Sequence, residues 1–197
     1  MTAAEQYLWG FLAGSLVFRF IRLRFAVHKA REARGRVAAM PIFWIMAGGY
    51  LLYVFLCAAE AFRHLPRFSY TVSFLGLISF IGSLVLRERA MKDLGRFFSP
   101  DIEIRQGHRL VREGLYGYMR HPLLACMGLE ILGVGLVFNA YAMLLAGGFG
   151  IYFPLIWVRK TLEERALLKT MGENYRAYMQ EVGAFMPKFF QKEIPHG

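Results

Sequence analysis

The chain has 197 residues, 56% of them hydrophobic and 16% aromatic, and carries a formal net charge of +10. That length suits one domain rather than two, and 18 Phe with 10 Tyr is more than a soluble basic domain of this size needs. The charges lie between long apolar blocks and form no nucleic-acid-binding motif, so the expected partner is a lipid membrane and not nucleic acid.

Taken in chain order, the first apolar block, Gln6 to Phe18, is uncharged for only 13 residues. It spans a bilayer if Arg19 and Arg22 reach back to the interface. The start lacks the basic, apolar, small-residue pattern of a cleaved signal and reads as mature protein. Val37 to Ala59 is 23 residues without a charge, and Phe68 to Leu86 is 19. Each is long enough to cross a core of about 30 Å, which takes about 20 helical residues. A polar connection follows, in which Ile102 and Ile104 alternate with charged residues before Gln106-Gly107, the pattern of a short extended hairpin. Residues 107–122, "GHRLVREGLYGYMRHP", then gather three Arg, two His, two Tyr and three Gly within 16 residues.

Pro122 to Val158 is 37 residues with Glu130 as its one charge. As a single helix it would run about 55 Å, nearly twice the core, so it must fold back, with Asn139 as the turn. The tail from Arg159 to Glu181 is polar but helix-compatible, with Leu162, Ala166, Leu168 and Met171 on a partial apolar face. It reads as an extension of the last span, ending near Gly183. The expected fold is thus an all-α integral membrane protein with about five transmembrane helices. Cys57 and Cys126 both lie in apolar blocks and give neither a disulfide framework nor metal-ligand spacing, so no metal is expected.

Lys and Arg set the orientation. The segment 19–36 carries seven, 87–120 eight and 159–197 seven, whereas 60–67 carries two and the turn at Asn139 none. Basic and nearly neutral connections alternate, as the positive-inside rule requires for five spans with the N-terminus outside. The 107–122 stretch and the C-terminal tail therefore share the cytoplasmic side.

Taken singly, the polar motifs have plain structural explanations. Pro122 suits the first turn of a helix, and Arg120 and His121 suit a membrane interface. Arg159–Glu163 and Lys160–Glu164 are spaced as helix-surface ion pairs, each contributing ~0.3–0.5 kcal/mol.

Taken together, Gly107-His108, Leu110-Val111, Gly114, Tyr116, Arg120-His121-Pro122, Glu163-Glu164 and the tail "MGENYRAYMQEVGAFMPKF" resemble the isoprenylcysteine carboxyl methyltransferase and phospholipid methyltransferase family. The resemblance covers roughly residues 91–190. It implies a methyltransferase core over 91–197, preceded by three transmembrane helices over 1–90. It implies S-adenosyl-L-methionine as methyl donor at the cytoplasmic membrane edge, with a lipophilic acceptor entering from the bilayer. By position, the family's cofactor contacts fall on Asp101, His108, Arg109, Leu110, Val111, Tyr116, His121, Pro122, Leu123, Leu124 and Glu163. Gly114, Arg120 and Glu164 fall in supporting positions, and the arginine facing the acceptor carboxylate falls on Arg159. The chain departs from the family at Leu124, where members often have Tyr, and at Cys126, where they often have Gly.

These roles make chemical sense. Glu163 can pair with the donor's ammonium, while His121, the turn amides and the start of the fourth helix can receive its carboxylate. Methyl transfer is an in-line displacement governed by positioning and desolvation. A carboxylate acceptor is already ionised at neutral pH and needs no general base, and Arg159 can hold it bidentately. The most direct expectation is carboxyl O-methylation of an isoprenylcysteine-like substrate. A lipid amine and a small lipophilic thiol stay open as acceptors. So do an NADPH-dependent enzyme like the membrane sterol reductases, whose C-terminal region this one also resembles, and a non-catalytic membrane protein.

Overall fold

Each apolar block forms helix, because inside hydrocarbon an open backbone N–H or C=O has no water to bond and only pairing within the segment satisfies it. The computed structural model describes the backbone of residues 1–32, 36–95, 102–104 and 110–187. Helix α1 (Ala3–Glu32) is followed by strand β1 (Arg36–Ala39), α2 (Met40–Arg63) and α3 (Tyr70–Leu94). Strand β2 (Ile102–Ile104) precedes a 3-10 turn at Gly114–Gly117 and helix α4 (Pro122–Val137). The chain reverses at Asn139, whose φ of 53° lies in the left-handed region that Asn tolerates. It returns through α5 (Tyr141–Met143), a π-helical stretch (Leu144–Tyr152) and α6 (Phe153–Met171), and ends in α7 (Glu173–Glu181).

Among the described residues, Ile42–Arg63, Tyr70–Leu94 and Tyr141–Met171 are long and apolar enough to cross a membrane, and Pro122–Val137 is a shorter apolar helix. The 31 residues of Tyr141–Met171 would measure about 46 Å against a core of about 30 Å. The charged run from Arg159 onward therefore projects beyond the hydrocarbon. Phe55, Phe74, Ile81, Val85, Leu145, Ile151 and Trp157 stay exposed on the helices, a display that fits lipid and would be a liability in water.

Helices α3 and α4 are the most closely packed pair. A Cβ on Gly76 would sit 2.5 Å from the Val137 nitrogen, and one on Gly133 2.7 Å from the Phe80 nitrogen. The two backbones touch because neither helix has a side chain there. Ser73 Oγ donates to the Val137 carbonyl at 2.7 Å and Ser79 Oγ to that of Leu129 at 3.0 Å, fixing the register. At the hairpin end Asn139 Oδ1 accepts from the Ser69 amide at 2.9 Å, tying the start of α3 to the turn.

Three local expectations are corrected. Arg19 does not extend to the interface: its Nη1 lies 3.0 Å from Glu130 Oε1, which also shares its carboxylate with Arg87. Glu130 is buried on α4, and a lone carboxylate in hydrocarbon is costly enough to draw both arginines inward. The extended segment at Ile102 pairs antiparallel with β1, Arg36 opposite Ile104, a partner far upstream in the chain. Residues 110–113 have no regular structure. The tail helix does not run unbroken to Gly183. It stops at Gly172, φ 54°, and restarts as α7.

Candidate functional site

The polar stretch before α4 folds against the C-terminal end of α3 and against α6 and α7. Asp101, His108 and Arg109 lie outside the described residues, and Leu110 and Val111 are half-buried at the start of the described segment. Gly114 has φ +59°, a conformation that costs other residues about 1 kcal/mol or more. It opens the 3-10 turn that presents Tyr116, which is 8% exposed. Burial, followed by the nearby Glu163 carboxylate, raises the Tyr116 hydroxyl above its ordinary range, so it stays a neutral donor.

Arg120 and His121 come next, and their backbone is occupied. The Arg120 amide donates to the Gly183 carbonyl at 2.9 Å and the His121 amide to that of Ala184 at 3.0 Å. The segment after α7 thus runs beside 119–121 as a short parallel bridge, with Phe185 tilted onto the His121 ring at 6.1 Å. These two amides are therefore not open to a ligand, contrary to the expectation for the turn amides as a group. The next two are better placed. His121 gives α4 no side-chain cap, and the first amide to bond back into the helix is that of Ala125, to the His121 carbonyl. Pro122 has no N–H, which leaves the Leu123 and Leu124 amides as the orphan donors at the helix N-terminus.

The two adjacent glutamates of α6 have opposite surroundings. Glu164, 6% exposed, receives Arg120 Nη2 at 2.9 Å, His121 Nε2 at 3.1 Å and Lys160 Nζ at 2.7 Å. Burial acts to raise its carboxyl, but hydrogen bonds from His121, Lys160 and Arg120 outweigh this and hold it at about 2. Arg120 also donates to the carbonyls of Met179 and Val182. This knot binds α4, α6 and the end of α7 together. Glu163, half-buried, makes no hydrogen bond or ion pair among the described residues. After burial, its charge is the main influence raising the Tyr116 hydroxyl, and it adds to burial and Glu164 in raising that of Tyr175.

Of the two spaced pairs on α6, Lys160–Glu164 forms, whereas Arg159, half-buried one turn before Glu163, forms no ion pair with it. Tyr116 and Glu163 lie within electrostatic reach of each other, His121 joins Glu164 at the start of α4, and Arg159 sits one turn before Glu163 on α6. Arg120 and Glu164 form the frame of the site. Sequence reasoning missed the outer supports. Tyr178 donates to the Tyr116 carbonyl, and burial pushes its hydroxyl up to about 12 against the pull of Arg120 and Arg112. Arg112 ties the stretch to α7 through Glu181 and the Asn174 carbonyl, each at 3.0 Å. The tyrosine-rich tail was the available signal, but spacing alone does not say which tyrosine turns inward.

The fold and the site define a helical integral membrane protein with a cluster of polar side chains where α4 begins and α6 turns charged. The family model for the isoprenylcysteine carboxyl methyltransferase family matches residues 74–169. A protein of Oryza sativa subsp. indica named probable protein-S-isoprenylcysteine O-methyltransferase is 28% identical over 194 residues, covering 94% of this chain and 98% of the rice protein. Protein-S-isoprenylcysteine O-methyltransferase B of Arabidopsis thaliana is 33% identical over 122 residues, 59% of each chain. The solved structure of the eukaryotic intramembrane Ras methyltransferase, an isoprenylcysteine carboxyl methyltransferase, superimposes with a TM-score of 0.64 at 26% identity, covering 70% of this chain and 52% of that one. In its family-model match, its named relatives and its fold the chain is similar to the isoprenylcysteine carboxyl methyltransferase family, and it is a membrane methyltransferase.

Proposed function

We propose that this protein transfers a methyl group from S-adenosyl-L-methionine to the carboxylate of a prenylated cysteine or a closely similar lipophilic acid. The observation that carries this reading is the contrast between Glu164, which is saturated by Arg120, Lys160 and His121, and Glu163, which is half-buried and unpaired among the described residues. A carboxylate kept partly out of water without a partner is costly, and a cationic ligand removes that cost. An anionic dinucleotide would meet Glu163 as a like charge, which disfavours the reductase alternative.

The residues fit the donor. Glu163 pairs with its ammonium, the Leu123 and Leu124 amides receive its carboxylate, His121 holds the start of α4 in place through Glu164, and Tyr116 closes the pocket wall. His108, Arg109, Leu110, Val111 and Asp101 complete the pocket by family position. When bound, the donor supplies an electrophilic methyl group on sulfonium. Arg159 then holds the acceptor carboxylate one helical turn from Glu163, so that α6 sets the spacing between the two ligands. The acceptor tail lies in the bilayer, and the alternation of basic connections places the site on the cytoplasmic face.

The test is calorimetric titration of detergent-purified protein with S-adenosyl-L-methionine, followed by transfer of labelled methyl to a farnesylated cysteine with a free carboxylate or to its carboxamide. Loss of one charge-assisted partner costs about 1.5–3 kcal/mol, so Glu163→Gln should weaken donor binding at least about tenfold. Only the free carboxylate should be labelled. No binding by the wild type would overturn the donor assignment, and labelling of an amine or thiol instead would overturn the acceptor.

A further inference from the structure

Asp93 is out of place as a helix residue. It lies in the last turn of α3, where the exposed carbonyls make a carboxylate unfavourable. A local rule broken at one residue points to a task outside that helix. The Asp93 side chain crosses to the 114–117 turn, where Oδ2 accepts from the Leu115 amide at 2.8 Å. It lies so close over Gly114 that a Cβ there would be 2.3 Å from Oδ2 and 2.5 Å from Cγ. Two independent constraints thus demand glycine at 114, the positive φ and the carboxylate above it. The same turn is held from the opposite side by Tyr178, whose hydroxyl donates to the Tyr116 carbonyl.

We propose that Asp93 is a positioning residue: by bonding the Leu115 amide and seating on Gly114, it ties the end of α3 to the turn that presents Tyr116 to the methyl donor. The inference rests on the reading of that turn as part of the donor pocket. It has a structural consequence of its own. Because α3 and α4 touch backbone to backbone, a turn fastened to α3 is also fixed relative to the α4 N-terminus, where Leu123 and Leu124 offer their amides. The two halves of the proposed pocket are thus held in register through α3.

The experiment compares Asp93→Ala, Asp93→Asn and wild type in steady-state methyl transfer and in hydrogen exchange. Asn keeps an oxygen that accepts from the Leu115 amide, and Ala does not. Asp93→Ala should raise the KM for S-adenosyl-L-methionine about tenfold or more, with kcat at saturating donor and the acceptor KM both within twofold. Asp93→Asn should restore the donor KM to within about threefold. Without any ligand, Asp93→Ala should speed exchange of the Leu115 amide at least tenfold while the amides of α3 and α4 stay protected. Unchanged Leu115 exchange would overturn the tether. A donor KM within twofold of wild type in Asp93→Ala, or an equal fall in every kinetic constant, would overturn the positioning role. Wild-type protein that binds no donor would refute the proposed function instead, and the exchange experiment would still decide the tether.

Discussion

Neighbouring glutamates on α6 should respond to the same substitution in opposite ways. Glu164→Gln keeps shape and one acceptor oxygen but removes the charge facing Arg120, His121 and Lys160, which approach within 2.7–3.1 Å. Arg120 and Glu164 side chains are each only 8% exposed, so water cannot take over the lost interaction. Breaking a buried pair by removing one partner costs about 3–5 kcal/mol, and retention of one acceptor puts this case near the lower figure. At about 2–4 °C per kcal/mol for a chain of this length, thermal unfolding in detergent should fall by about 6–12 °C. Glu163→Gln should melt within about 2 °C of wild type, since no described side chain pairs with it. The pH dependence follows from the depressed Glu164 carboxyl. Its contribution is complete above the ordinary value of 4.5 and is lost as pH falls towards about 2. The wild type should therefore lose its advantage over Glu164→Gln across that window. Equal melting of wild type and Glu164→Gln at neutral pH would refute the frame assigned to Glu164.

Arg159→Lys should leave donor affinity nearly intact but slow turnover on a carboxylate acceptor by about tenfold or more, because an ammonium offers one attachment where a guanidinium offers two. Turnover within twofold of wild type would remove Arg159 from acceptor binding. Gly133→Ala must push α3 and α4 apart at the Phe80 backbone, and the strain of such overpacking should cost about 1–3 kcal/mol in detergent stability. Gly82→Ala, with nothing within 4 Å of its new methyl, is the matched control and should not lower the melting temperature. A reporter fused after Gly197 should be active only on the cytoplasmic side, and activity outside would reverse the orientation drawn from the basic connections.

By itself the sequence determined the solvent, the helices and the family. Apolar block length against a fixed bilayer thickness leaves little choice, which is why the fold-back at Asn139 could be placed to the residue. The motifs from Gly107 to Pro122 and at Glu163-Glu164 likewise carried the family. Tertiary structure alone decided which polar groups are spent on architecture and which are left for a ligand. Glu163 and Glu164 are adjacent and chemically identical, yet helix rotation turns one into a knot with Arg120, His121 and Lys160 and leaves the other without a partner among the described residues. Arg19 looked like an interfacial anchor because its local sequence ends an apolar block, but Glu130, 111 residues away, draws it inward. Asp93 carries no motif at all. Its role exists only because close contact between α3 and α4 brings the end of one helix over a turn 22 residues downstream. Burial and hydrogen-bond partners are set by contacts between distant segments, and those distances are not written in local periodicity.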